Sequence, residues 1–272
     1  MQSYKPTTVE EQVEYLHQNM RVQFNEIDKK TMENILLYNN YVNVITPFKH
    51  YFAKKDNKRE VLKDGHGCYI YVYDVDFHDY YEKFKNERLK YPIIAINVIA
   101  YESHFKAILA YRILTNNKIE SSDDLFEFLD KIRLCAVYKN NFSKERNRHI
   151  NKSILDLEET IDNFTDVYCF FDRLSLGISL NLFLELTDDL QDLIFTDISK
   201  LEMNFNVRNV SDYISKVFTL VSIRNCVMHC NSLEILIRFY NPKNHQIRRN
   251  RNKRIFVKMI DYLSTEKQYT PL

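Results

Sequence analysis

Apolar residues recur at helical spacing along most of the chain. From Thr31 to Tyr38, and again from Phe77 to about Leu114, they fall three and four residues apart, which is the period of a helix with one buried face. Thr8 stands ahead of the first helical segment with Glu11 three residues later, the spacing of an N-terminal capping box. This pattern predicts an all-α fold.

Chain-breaking residues mark the predicted boundaries. Pro47 is expected to end an aromatic-rich section, and Pro92 to kink or split the long helical segment that contains it. Residues 56–68 are charged and hold two of the three glycines, which predicts a loop, while Cys68–Val75 suits a strand or an extended arm. Further helices are predicted from Ser121 to about Tyr138, over roughly 150–165, over 167–200 with interruptions near Gly177 and Thr187, and from about Arg254 to Ser264.

Composition narrows the class of protein. Only three glycines and five prolines occur in 272 residues, which disfavours a turn-rich sandwich or barrel. We expect one helical domain over residues 1–272, with an N-terminal part at about 8–55 and a larger core at about 76–265. No unbroken apolar run reaches the length of a membrane span, and no signal segment is evident. Because the five cysteines are scattered and odd in number, we expect a reducing, cytoplasmic location.

Charge is distributed unevenly although the net charge is only +1. Residues 156–202 hold twelve acidic side chains against two basic ones, and residues 205–258 hold eleven basic against two acidic. The basic third predicts a polyanionic partner, although two solvated helix faces that pair with each other or with a second subunit would give the same pattern. The candidate RNA-binding residues, most of them in a basic loop ahead of the last helix, are Arg238, Lys243, Arg248, Arg249, Arg251, Lys253 and Arg254.

One apolar helical stripe consists of Val210, Tyr213, Ile214, Val217, Phe218 and Val221. It leads into the residues best suited to chemistry, Arg224, Asn225 and His229. Asn225 and His229 lie four apart and so share a helix face. Histidine can exchange a proton with a ribose hydroxyl or a leaving oxygen, and arginine can stabilise the charge that builds on a phosphate. Because acid–base cleavage works best with two imidazoles, a two-fold dimer would complete the site.

Other interpretations of these residues remain open. An arginine and a histidine at this spacing also arise when the arginine caps a helix and the histidine belongs to a core. Cys226, His229 and Cys230, with His66 and Cys68, are the candidate metal ligands, but three ligands within one turn cannot easily converge on one ion. We therefore expect buried free cysteines, no metal and no other cofactor.

The segment Ile223–Asn231, at the end of an apolar helix, resembles the signature of HEPN domains, in particular that of abortive-infection proteins of the AbiD and AbiF type. Ile35–Phe48 is similar to the tyrosine-rich N-terminal helix of that family and its Pro-Phe step. Ala100–Arg112 is similar to its central helix with an embedded glutamate, and Leu174–Leu180 to its glycine-containing step before the motif. The similarities follow the family's order over about residues 10–265.

The resemblance implies a helical HEPN-like bundle and a metal-independent endoribonuclease that acts as a phage-defence toxin. It also implies dimerisation through the motif helices and control by a phage trigger or a small antitoxin RNA. Arg224 would then hold the phosphate, Asn225 would orient the histidine or the scissile phosphate, and His229 would be the acid or base. Glu102 would contact the motif by pairing with Arg224, and the alternative is a surface glutamate. The chain departs from the family at Cys230, where a second histidine is frequent, and around Asn86–Arg88, where the family's usual aspartate–arginine pairing of the central helix is not clear.

Two rival functions use the same residues differently. A non-catalytic protein that binds a small RNA would use the basic third and leave His229 without a chemical role. A helical scaffold that assembles a defence complex would need neither RNA nor chemistry. Loss of function on replacing His229, with RNA affinity retained, would favour the enzyme.

Overall fold

The computed structural model describes residues 8–65, 67–72, 75–139, 167–201, 207–239 and 249–265. Within these ranges the chain is helical, with isolated β-bridges and no β-strand, so the predicted all-α fold is confirmed. The helices are α1 Val9–Gln18, α2 Lys29–Asn39, α3 Tyr41–Val44, α4 Phe77–Arg88, α5 Tyr91–Asn117, α6 Ser122–Lys139, α7 Tyr168–Arg173, α8 Leu176–Glu185, α9 Asp188–Ile198, α10 Val210–Met228, α11 Leu233–Phe239 and α12 Arg249–Leu263.

Local side chains fix where the first helices begin. The predicted capping box is present: the backbone N–H of Glu11 donates to Thr8 Oγ1 at 3.2 Å, and that of Thr8 donates to Glu11 Oε2 at 3.0 Å. Asp28 caps α2 by accepting from the backbone of Thr31 at 3.0 Å. These caps satisfy backbone donors that the first turn of a helix leaves unpaired.

The chain forms two compact units, one of residues 1–92 with 226–253 and the other of residues 93–225 with 254–272. This division differs from the boundary at about 55–76 within a single domain that the sequence suggested. In the first unit α1 packs against α2, α2 against α3 and α3 against α4. Their apolar faces form one core, whose buried residues are Val13, Leu16, Met20, Val22, Met32, Leu36, Val44, Ile45, Phe48, Val75, Phe77, Tyr80 and Phe84.

The second unit is organised around α5. Phe105 of α5 packs edge-on against Phe183 of α8, with ring centroids 6.1 Å apart, and Phe183 packs in the same way against Tyr213 of α10 at 5.7 Å. The hydroxyls of Tyr101 and Tyr213 lie 2.6 Å apart in this core, and burial raises the pKa of both. The buried Asn97 donates to the Leu263 carbonyl at 2.6 Å, so its side-chain amide group has a partner inside the protein.

The buried face of α10 is rotated from the predicted stripe. Tyr213 and Val217 are buried as expected, but Leu220 and Ile223 complete the buried face, while Ile214 and Phe218 are only partly covered. Both sets of residues have helical spacing, so periodicity alone does not distinguish them. This rotation leaves Arg224 partly exposed and Asn225 fully exposed.

Three boundary predictions have clear outcomes and one does not. The segment around Pro92 is split, because α4 ends at Arg88 and α5 begins at Tyr91 with the proline in its first turn. The predicted interruptions in 167–200 are present between α7, α8 and α9. The loop predicted ahead of Arg254 is wrong, since α12 begins at Arg249 and arginine and lysine are good helix formers. The helix predicted over 150–165 lies outside the described residues.

Among the residues that the structure describes, one segment, Phe77–Asn117, is long and apolar enough to cross a membrane by length and composition alone, and 39% of its most apolar 18-residue stretch is buried inside the protein. A single segment of this kind is weak evidence for a span, since the core helix of a soluble protein passes the same test. The buried, hydrogen-bonded Asn97 and the buried Glu102 favour the core helix.

Residues 52–65 and 67–72 form an extended arm with two similar turns. Isolated bridges pair Ala53 with Tyr71, Lys55 with Val61 and Lys63 with Tyr69, which supports the predicted loop and the extended conformation after it. Asp56 and Asp64 open the turns by accepting from backbone N–H groups. The fourth residue of each turn is left-handed, Arg59 with φ 63° and Gly67 with φ 80°.

The two glycines of the second turn provide a matched test of this geometry. A Cβ at Gly65 or Gly67 would meet no atom within 4 Å, but only Gly67 has a positive φ. We expect Gly67→Ala to lower the free energy of unfolding by roughly 1–2 kcal/mol, because alanine disfavours the left-handed region. Gly65→Ala should raise it by about 0.4–1 kcal/mol through the unfolded chain. Equal effects in urea unfolding would contradict the assigned turn.

Candidate active site

The helix that carries the motif ends in a Schellman turn. The backbone N–H of Asn231 donates to the Cys226 carbonyl at 2.8 Å, and that of Cys230 donates to the Val227 carbonyl at 3.0 Å. Cys230 takes the left-handed conformation that this turn requires, with φ 51°. His229 is therefore the last residue before the reversal, and it is exposed.

Arg224 is held by a buried carboxylate within the second unit. Its Nε lies 3.5 Å from Glu102 Oε2, and the side chains of Arg224 and Glu102 are 30% and 12% exposed. The contact expected between these two residues is present, and Glu102 is buried rather than on the surface. The ion pair lacks hydrogen-bond geometry, so the buried Nε–H has no hydrogen-bond partner among the residues that the structure describes.

Asn225 contacts the outer end of the same arginine. Arg224 Nη1 donates to Asn225 Oδ1 at 3.3 Å. Across the described part of the chain, nothing forms a hydrogen bond with Arg224 Nη2. A guanidinium that is fixed on its inner side and partly exposed can offer its remaining donors to an anion such as a phosphate.

Glu102 is also fixed from two other directions. Its Oε1 accepts from Lys106 Nζ at 3.0 Å and from the backbone N–H of Leu176, the first residue of α8, at 3.1 Å. A carboxylate at the N-terminus of a helix is stabilised by the unpaired N–H groups there. Lys106 Nζ further donates to the Asp172 carbonyl at 3.1 Å. Glu102 is thus surrounded by donors, which is the condition under which a buried charge is stable.

Within the first unit, side chains of α4 and α5 bind the backbone that follows His229. Arg88 Nη2 donates to the Cys230 carbonyl at 2.6 Å, and the Tyr91 hydroxyl is hydrogen-bonded to the Asn231 carbonyl. Glu87 Oε2 accepts from the backbone N–H of Glu234 at 2.9 Å and from Ser232 Oγ at 3.2 Å. Burial raises the pKa of Glu87, while these donors and Tyr91 oppose the shift.

The predicted RNA-binding residues are only partly described. Arg254 is exposed on α12, and Arg249, Arg251 and Lys253 belong to the first turns of that helix rather than to a loop. Arg238 belongs to α11. Lys243 and Arg248 lie outside the described residues. A basic surface along these two helices is therefore still a prediction.

Of the two cysteines in the motif segment, one is a buried free thiol and the other is an exposed one. Cys226 Sγ contacts the Asn231 carbonyl at 3.3 Å, and burial raises the pKa of this thiol to about 12. Cys230 is exposed. Among the residues that the structure describes, no group of three or more His, Cys, Asp and Glu side chains could hold a metal ion, and His66 lies outside them.

Comparisons of the chain with protein-family models, with curated proteins and with solved structures give no match. The resemblance to abortive-infection proteins therefore stays a prediction from the residues quoted for it.

Sequence analysis noted Glu87 and Arg88 only as a departure from the family pattern, and it gave Tyr91 no role. Glu87 and Arg88 are neighbours and Tyr91 follows one turn later, so the three residues lie on one side of the chain at the α4–α5 junction. Many helices contain triplets with this spacing. The partners of these three residues are mostly backbone groups about 140 positions away, which leave no trace in side-chain identity. A charged pair followed three residues later by Tyr91 and Pro92 is the one local signal that the sequence offered.

Proposed function

We propose that this chain is a metal-independent endoribonuclease of the HEPN type that acts as a phage-defence toxin. The observation that carries the proposal is the fixed Arg224, paired with buried Glu102 and partly exposed, on the helix that ends directly before exposed His229. Arg224 pairs with Glu102 and does not cap a helix end, and the exposed His229 is not a core histidine.

The proposed reaction is a transesterification. His229, in its neutral form, takes the proton of a ribose 2′-hydroxyl, and the 2′ oxygen attacks the adjacent phosphorus. The bond from phosphorus to the 5′ oxygen breaks, and an imidazolium gives that oxygen a proton. The products are a 2′,3′-cyclic phosphate and a 5′-hydroxyl. Arg224 offsets the charge on the non-bridging oxygens, and Asn225 orients the arginine to which it is hydrogen-bonded.

The proposed partners follow from the chemistry and from the resemblance. A homodimer through the motif helices would supply the second imidazole, since one chain offers one histidine in the motif. RNA would be the substrate, bound in part through exposed Arg254. A small antitoxin RNA would restrain the enzyme in the cytoplasm until infection.

A metal-free cleavage assay with defined product ends tests the proposal. The wild-type chain, in a buffer with EDTA, is expected to cut single-stranded RNA and leave 2′,3′-cyclic phosphate ends. A matched RNA with 2′-deoxyribose at the cleavage position should resist, because it lacks the nucleophile. Cleavage that needs a divalent metal, or products with 5′-phosphate ends, would rule out this mechanism. RNA binding without any cleavage would favour the small-RNA-binding protein instead.

A further inference from the structure

The backbone directly after His229 is strained. Cys230 has φ 51°, in the left-handed region that non-glycine residues avoid at a cost of roughly 1–2 kcal/mol. Glycine is the usual residue at this position of a Schellman turn, because it enters that region without a penalty. A strained residue of this kind persists only where its surroundings determine its conformation.

Three side chains bind backbone groups of the strained residue and of the residues that follow it. Arg88 donates to the carbonyl of Cys230 at 2.6 Å, and Tyr91 is hydrogen-bonded to the carbonyl of Asn231. Glu87 accepts from the backbone of Glu234 at 2.9 Å. All these residues belong to the first unit, and together they fix the path of the chain from the end of α10 to the start of α11.

The three side chains are themselves held in place. The Arg88 guanidinium carbon lies 5.0 Å from the ring centroid of Phe84 and 4.6 Å from that of Tyr91. The Tyr91 hydroxyl also lies 3.0 Å from Glu87 Oε1. Arg88 Nη1 is buried without a hydrogen-bond partner among the described residues. The other contacts of this arginine therefore offset the cost of an unsatisfied buried N–H. An arginine at the C-terminal end of a helix also complements the helix dipole.

We propose that Glu87, Arg88 and Tyr91 form a clamp that positions His229 for the reaction proposed above. The clamp holds Cys230 in the left-handed conformation, which ends α10 directly before His229 and fixes the backbone from which the imidazole extends. This inference rests on the proposed ribonuclease function. The clamp residues are positioning residues, because their contacts are to protein groups and not to the reacting atoms.

Removing Arg88 is expected to affect the chemical step and not substrate binding. Misplacement of a reacting group by about 1 Å can cost on the order of 100-fold in rate, so Arg88→Ala should lower kcat by about 10- to 100-fold with KM near the wild-type value. Tyr91→Phe, which keeps the ring beside Arg88 and loses only the hydroxyl, should have a smaller effect. Lys85→Ala is the matched control, since Lys85 lies on the same helix, and its contacts, an ion pair with Glu82 and the ring of Tyr81, do not involve the clamp residues.

A second substitution separates positioning from general loss of structure. Glycine at position 230 takes the left-handed conformation without help, so Cys230→Gly should restore part of the kcat that Arg88→Ala loses. The four chains, wild type, both single variants and the double variant, form a double-mutant cycle in kcat and, separately, in thermal stability. Additive effects on kcat would overturn the clamp, because the two sites would then act independently.

Amide hydrogen exchange measures the clamp without reference to activity. The amides of Cys230 and Asn231, which close the Schellman turn, should exchange faster in Arg88→Ala than in the wild type, while amides in the middle of α10 should not change. Unchanged exchange at Cys230 and Asn231 would overturn the clamp even if cleavage falls. A wild-type chain that cuts no RNA would overturn the proposed function and the positioning role with it, and exchange would still show whether the turn is held.

Discussion

Replacing His229 with alanine is expected to lower RNA cleavage by about 10²–10⁴-fold, the usual contribution of a general acid or base. RNA affinity should stay close to the wild-type value, because binding depends mainly on the arginine and lysine side chains that contact phosphates. Since His229 is exposed, its loss creates no cavity and should leave the thermal stability almost unchanged. The measurements are cleavage in EDTA, RNA binding by fluorescence anisotropy, and growth of cells that express each chain.

His104 provides the matched control for this prediction. It is an exposed histidine on α5, and His104→Ala removes the same side chain from a helix surface outside the motif. The control should retain both cleavage and toxicity. If His229→Ala and His104→Ala are equally active, His229 has no chemical role. If His229→Ala is as toxic as the wild type and neither of these two chains cuts RNA, the RNA-binding function replaces the proposed one.

Features that depend on neighbours in sequence were predictable. The capping box of Thr8 and Glu11 needs only four residues, and the structure has it as expected. The break at Pro92 follows from the missing backbone N–H of proline. Packing decides that the helix is split there and not kinked. The start of α12 was placed five residues late, because polar helix formers such as those from Arg249 to Lys253 carry no apolar period.

Features that depend on distant partners were harder to predict. The ion pair between Glu102 and Arg224 was expected only through the resemblance, because nothing in the sequence states which glutamate a given arginine meets. The contacts of Arg88 and Tyr91 escaped prediction, since their partners are carbonyl groups that every residue possesses. The strain at Cys230 was equally hidden, because the sequence shows a non-glycine residue where glycine would have signalled the turn.

The position of Arg224 illustrates how the fold and the chemistry depend on each other. The buried face of α10 includes Leu220 and Ile223, which leaves the next residue partly covered and turned toward Glu102. If α10 were rotated to bury Ile214 and Phe218, its buried face would match the predicted stripe, and Arg224 would be displaced. Core packing therefore decides which side of Arg224 is available for an anion.

Replacing Glu102 with alanine is expected to lower the free energy of unfolding by about 3–5 kcal/mol, the cost of removing one partner from a buried ion pair. The change would leave Lys106 and Arg224 without their shared carboxylate, and would also remove the acceptor of the Leu176 N–H. The side chains of Glu102 and Lys106 are each only 12% exposed, so water cannot readily replace the lost contacts. Urea unfolding of the wild type and the variant measures the difference.

The matched control is Glu127→Ala on α6. Glu127 forms the same i,i+4 pair with a lysine, at 2.7 Å from Lys131, but the two side chains are 69% and 68% exposed. Removal of an exposed pair of this kind should change the free energy of unfolding by at most about 0.5 kcal/mol. Similar losses in the two variants would mean that Glu102 contributes only helix propensity. A large loss in Glu102→Ala alone would establish that the carboxylate holds α8, Lys106 and the motif arginine in one arrangement.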